Sequence, residues 1–243
     1  QRRPMRVTAL GPGGRETLAA AVGPAFRLRF FEGFEGRWAV AKLLWHSARI
    51  RLTMPEAFSV HRSIIEWGAR FSDDRIPEQA VGVDPVTARL MRWVMQRWSR
   101  VDFFNRYLFG TVAPRVQLDL LPALGCAAHV LMTPARPLRT LGDFVAAGVA
   151  MQRLWLAAEA AGMHLQPEMT PVIFRWYVQA GRSMSSQRGI DAAAQDLAQR
   201  FDKLASAAPA DDFAFLCRVG FSASPQARSL RRPLRASARR GTE

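Results

Sequence analysis

Lysine, cysteine and long apolar runs are what this 243-residue chain has least of. Only Lys42 and Lys203 stand among its 34 basic residues, so almost all of a net charge of +14 is arginine. Such a bias is a compositional habit as much as a signal for polyanions, and nucleic acid is not expected as a partner. Nucleic-acid binding through the arginines clustered between Arg228 and Arg240, weakening steeply with salt, stands as an alternative to the readings below. Two cysteines, Cys126 and Cys217, each in an apolar strand-like context, exclude a disulfide framework and point to a reducing, cytoplasmic compartment. The longest stretch free of Asp, Glu, Lys and Arg runs from Leu120 to Ala135 and contains Pro122 and Pro134. It falls short of the roughly 18 apolar residues a spanning helix needs, so no membrane is expected among the partners. No signal peptide shows at the start. A chain beginning at Gln1 without Met reads as a piece of something longer.

Sequence motifs for common chemistries are missing too. There is no P-loop, G-x-G-x-x-G, H-E-x-x-H, C-x-x-C or G-x-S-x-G, which removes support for the familiar hydrolases and for NAD-binding Rossmann enzymes. Cys126-Ala-Ala-His129 has the spacing of half a metal site but no second half, so it reads as a core cysteine beside a hydrogen-bonded histidine, with no metal expected. His46, His61 and His164 are isolated, and Asp73-Asp74 sits in a polar, turn-rich stretch. No side chain is singled out as catalytic.

What is present is ample apolar material, 49% hydrophobic and 10% aromatic, with the periods of both helix and strand. Phe26, Leu28 and Phe30 alternate with Arg27 and Arg29, which predicts a strand. The segment from Arg37 to Leu52 predicts a helix with Trp38, Ala41, Trp45, Ala48 and Leu52 inward. Thr53-Met54-Pro55-Glu56 has a capping-box pattern before a helix burying Ala57, Val60, Ile64 and Trp67, with Gly68 as its stop. Residues 71–82 read as a surface loop. Asp84-Pro85 opens a helix carrying Leu90, Met91, Val94, Met95 and Trp98 on one face. The aromatic stretch from Phe103 to Arg115 is irregular. Residues 127–134 predict a buried strand, and Thr140 to Asp143 a capping box before a helix reaching about Ala161. That helix is apolar on most sides, which places it at the centre of the fold or at a subunit interface. The stretch MHLQPEMTP reads as a loop, IFRWYV as helix or strand, the run from Asp191 as an amphipathic helix, and DFAFLCRVGF as a strand. The mixture, without repeats, argues for an α+β domain.

Three segments in order, AAHVLMTP, GDFVAAGVAMQRLWLAAEAAGMHLQPEMTP and FLCRVGFSASPQARSLRRPL, resemble the C-terminal two-thirds of the nitroreductase family of flavin-dependent oxidoreductases. The stretch from Leu52 to Trp98 resembles a subgroup whose nitroreductase-like domain is sometimes fused to a ThiF-type, E1-like adenylating domain. Together they cover residues 37–234, flanked by an N-terminal segment, 1–36, with one strand, and a basic tail, 235–243.

The resemblance implies an α+β sandwich whose central mixed or antiparallel sheet is packed by helices. It further implies a homodimer that binds FMN and passes hydride from NAD(P)H to a small-molecule substrate. Arg228, Arg231 and Arg232 would grip the flavin phosphate, and Gln166, Pro167 and Glu168 would lie along the ring edge. The family's N-terminal phosphate motif and its A-P-S-x-x-N-x-Q-P-W-x-F-like segment have no counterpart here; residues 1–36 offer Arg2, Arg3 and Arg6 without that context. Either the first helices are missing, or flavin binding has been lost and a dimerising interaction module of a larger adenylating or biosynthetic protein remains.

Overall fold

The alternation at Phe26 becomes an edge strand of the principal sheet. A computed structural model describes residues 4–230 and divides them into two compact units, one formed by Pro4–Met54 with Thr111–Ala223, the other by Pro55–Gly110 with the segment from Ser224.

In the larger unit the sheet has the order β1 (Phe26–Phe31), β5 (Ala128–Pro134), β7 (Phe215–Gly220), β6 (His164–Pro167), antiparallel throughout. Side chains alternate across it with period two. Ala128, Val130, Met132, Phe215, Cys217, Val219 and Leu165 share one core with Leu18 and Val22 of α1 (Gly11–Val22) and Ala147, Ala150, Leu154 and Ala158 of α9 (Leu141–Ala160). The opposite face carries His129, Leu131, Leu216 and Arg218. On that side α2 (Gly33–Thr53) packs on β5 and gathers α8 (Leu121–Leu124), α10 (Thr170–Gln179) and α11 (Ile190–Ala205) around itself. The α+β sandwich expected from the sequence is therefore present, with helices on both faces of an antiparallel sheet.

Local chemistry explains the best-defined element boundaries. Thr140 accepts from the Asp143 backbone N–H at 3.2 Å, while the Asp143 carboxylate accepts from the Thr140 N–H at 2.8 Å, so the capping box forms and α9 starts at Leu141. Those bonds, first from Thr140 and then from the Arg139 N–H, hold the Asp143 carboxyl at about 2. The helix ends before Gly162, whose φ of 70° is the left-handed turn that lets the chain fold back into β6. α7 (Val112–Arg115) and α8 are joined by a single π-helical turn, Val116–Leu120.

The smaller unit contains α3 (Pro55–Ile64), β2 (Ile65–Glu66), β3 (Phe71–Ser72), β4 (Ile76–Pro77), α4 (Glu78–Val81), α5 (Pro85–Val94), α6 (Trp98–Tyr107) and β8 (Arg228–Ser229). Two parallel two-residue ladders, β2 with β4 and β3 with β8, tie it together. Asp84 caps α5 by accepting from the Val86 and Thr87 N–H groups at 2.9 and 3.0 Å. Ring contacts between Phe58 and Trp98 and between Trp93 and Phe104 join its helices.

Several expectations need correction. Thr53 belongs to α2, and its hydroxyl hydrogen-bonds backward to the Arg49 and Ile50 carbonyls, so it finishes that helix instead of standing as the N-cap of α3, which begins at Pro55. Val60 and Leu90 face outward, because the smaller unit is too thin to bury a full helical stripe. In α2, Ala41 and Ala48 are buried as expected, but so are Val40, Leu43, Leu44 and Ile50, while Trp38 is exposed; a helix packed on several sides has no single inward stripe. The loop expected at MHLQPEMTP contains β6, whose ladder to β7 overrides its two-residue apolar content. The loop at 71–82 contains short ladders and α4. The opening GPGG begins α1, with Pro12 in the first turn where its missing N–H costs nothing.

Candidate functional site: a closed His-Glu-Arg cluster and an open helix face

Strand register places the chemistry. On the sheet face toward α2, His129 of β5 and Arg218 of β7 are direct cross-strand partners, and Gln166 of β6 is the partner of Arg218 on its other side. Glu168, the first residue beyond β6, donates its backbone N–H to the Leu216 carbonyl at 2.8 Å, which turns its carboxylate in between the two cations. One carboxylate oxygen accepts from His129 Nδ1 at 2.7 Å and the other from Arg218 Nη1 at 3.0 Å. All three side chains are closed to solvent.

Both ring nitrogens of His129 face acceptors. Nδ1 meets the Glu168 carboxylate, and Nε2 meets the Ala123 carbonyl at 3.0 Å. Each contact requires an N–H, so the ring is an imidazolium. Burial opposes that charge, but the adjoining Glu168 carboxylate overcomes it and raises the pKa from 6.5 to about 10. Burial likewise works against ionised Glu168, and His129, then Arg218, pull its pKa below the ordinary value. Cys126 Sγ lies 3.7 Å from His129 Nε2 and donates to the Ala123 carbonyl, the core cysteine beside a bonded histidine that the sequence suggested. Burial pushes the Cys217 thiol well up. No group of three or more potential metal ligands gathers among the described residues. The cluster fastens β5, β7 and the start of α10 to one another and holds the Gln166-Pro167 edge in place; neither thiol is exposed to act as a nucleophile.

The other feature is the outer side of α9. Leu141 (81% exposed), Phe144, Val145, Val149 and Leu156 project from it, and Gly148 adds no side chain among them. A stripe this apolar is unusual on a solvated helix and marks a binding surface.

The residues expected to bind cofactor fall as follows. Gln166 and Pro167 are half-buried on the edge strand β6 of the larger unit. Glu168 is buried, its carboxylate committed to His129 and Arg218. Arg228 is exposed on β8 of the smaller unit, where no carboxylate among the described residues pairs with it. Arg231 and Arg232, with the tail at 235–243, lie outside the described residues. Sequence reasoning overlooked Arg218, although a lone arginine inside the apolar strand FLCRVGF was the available signal: a buried arginine requires a carboxylate.

No protein-family model matches the sequence, and neither does any curated protein. Among solved structures, the chain is similar to a nitroreductase-like family protein from Bacillus cereus, with a TM-score of 0.47 and 10% identity, covering 98% of this chain and 88% of that one. No described helix is long and apolar enough to cross a membrane.

Proposed function

We propose that this chain is an FMN-dependent oxidoreductase of the nitroreductase type, acting as a homodimer and passing hydride from NAD(P)H to an oxidised small molecule. The observation that carries this reading is the outward apolar face of α9, followed directly by the Gly162 turn and the Gln166-Pro167 edge strand. A flat apolar wall is what a planar ring requires, and the Gln166 amide, on the sheet face toward α2, is a donor for the ring edge rather than part of that wall. A second copy would cover the part of the face the ring leaves open.

The residues present fit FMN by type. Gln166 supplies an amide to the ring edge, with Pro167 beside it; Glu168 acts by anchoring that segment through its ion pairs. By residue type alone, Arg228, Arg231 and Arg232 are the candidates to offer a guanidinium fork to the phosphate. Bound FMN would accept hydride from NAD(P)H and deliver it to the substrate, so the protein has only to bind, orient and exclude water. That accounts for a site without a nucleophile or catalytic triad.

The competing reading is a flavin-free interaction module associated with a ThiF-type, E1-like domain. It is favoured by the inward commitment of the Glu168 carboxylate, which removes one polar group from the ring edge. Titrating FMN into the protein while following flavin fluorescence separates the two. Saturable quenching that weakens on Arg228→Ala supports the oxidoreductase; FMN left free at every protein concentration supports the interaction module.

A further inference from the structure

Among the described residues the cluster holds one carboxylate for two cations. His129 and Arg218 are directly opposed across β5 and β7, and Glu168 is the carboxylate that pairs with both. Two like charges opposed on a sheet repel, and one carboxylate shared between them leaves a net positive charge in a region closed to water. The guanidinium itself is only partly satisfied. Its Nη1 donates to Glu168, whereas Nε and Nη2, which line one edge of the planar group, are buried and receive no acceptor from the described residues. Arg218 is 3% exposed, so bulk solvent does not supply one. A buried guanidinium edge with two unanswered N–H groups is destabilising unless something accepts from it.

We infer that the Nε and Nη2 edge of Arg218 holds a buried monovalent anion of chloride size. A water could accept from both N–H groups but would leave the excess charge in place. A small anion answers the donors and the charge together, as carboxylate and phosphate oxygens do for guanidinium forks elsewhere. The site is built on the central strands, between β5 and β6, rather than on a loop. Its occupancy does not depend on flavin, so it stands apart from the proposed redox function.

The test is thermal unfolding of the full chain over a range of sodium chloride concentrations, with ionic strength held constant by sodium gluconate, whose anion is too large for a closed site. The expected result is a melting temperature that climbs by roughly 3–5 °C per tenfold rise in chloride above its dissociation constant. Bromide should substitute for chloride, and Arg218→Gln should abolish the dependence. Because that variant can fail to fold, crystals of the unaltered protein grown in sodium bromide provide a second measurement, with an anomalous peak expected beside Arg218 Nε and Nη2. Equal melting temperatures in chloride and gluconate, or bromide crystals without a peak at that edge, would overturn the inference.

Discussion

His129 and Glu168 meet at 2.7 Å across 39 residues of sequence, and neither side chain is open to water. The pair ties strand β5 to the junction between β6 and α10, and its strength depends on both partners being charged. Its protonation is therefore linked to folding.

The sign of that linkage predicts a pH profile. His129 titrates near 10 in the folded protein and near 6.5 when unfolded, so its contribution is complete below about pH 6.5 and is lost as pH rises toward 10. Glu168 is shifted downward from 4.5, so its contribution is present above that value and is lost on acidification. Urea unfolding at a series of pH values should show greatest stability between about 4.5 and 6.5 from this pair, with a decline on the alkaline side. Glu168→Gln should lower the maximum and flatten the alkaline decline, because a neutral amide no longer holds the imidazolium charged.

Arg175 predicts the largest purely structural loss. Its Nε donates to Asp202 at 2.6 Å, its Nη1 to the Asp211 carbonyl at 2.6 Å, and its Nη2 to the Ala208 and Pro209 carbonyls, while the guanidinium lies 4.1 Å from the Phe213 ring centroid. Arg175→Ala removes the guanidinium from Asp202 and from three carbonyls, of which those of Pro209 and Asp211 keep the Gln179 amide as a donor. A loss of about 3–5 kcal/mol in chemical denaturation is expected; a loss under about 1 kcal/mol would show that the loop after α11 rearranges at little cost.

The exposed stripe on α9 predicts self-association. Phe144→Asp combined with Val149→Asp places two charges on that face without touching the Ala147, Ala150 and Leu154 side that packs on the sheet. Sedimentation should find a dimer for the unaltered chain and a monomer for the double variant, with the melting temperature of the monomeric form little changed. A dimer that survives both substitutions would locate the contact elsewhere.

Elements whose cause is local were legible in the sequence. The Thr140 and Asp143 capping box, the Asp84 cap, the alternation at Phe26 and the apolar runs of β5 and β7 each set their own element within a few residues, and each stands where the residues indicated. What could not be read depends on distant partners. β6 is a strand because β7 pairs with it, and Thr53 bonds backward because α2 runs to it. The site was half legible for the same reason: Cys126 and His129 stood out at their spacing, but nothing local revealed that Glu168 and Arg218 would converge on His129. The outward face of α9 was visible only as excess apolarity; its direction required the sheet.

The most direct test of the proposed function is anaerobic mixing of the FMN-loaded protein with NADH and, separately, NADPH, following the visible absorbance of the flavin. The account predicts bleaching by at least one nucleotide and recovery of colour when an oxidised acceptor such as a quinone or nitroaromatic is added. Flavin that binds but keeps its colour with both nucleotides, or a protein that takes up no FMN, would contradict it.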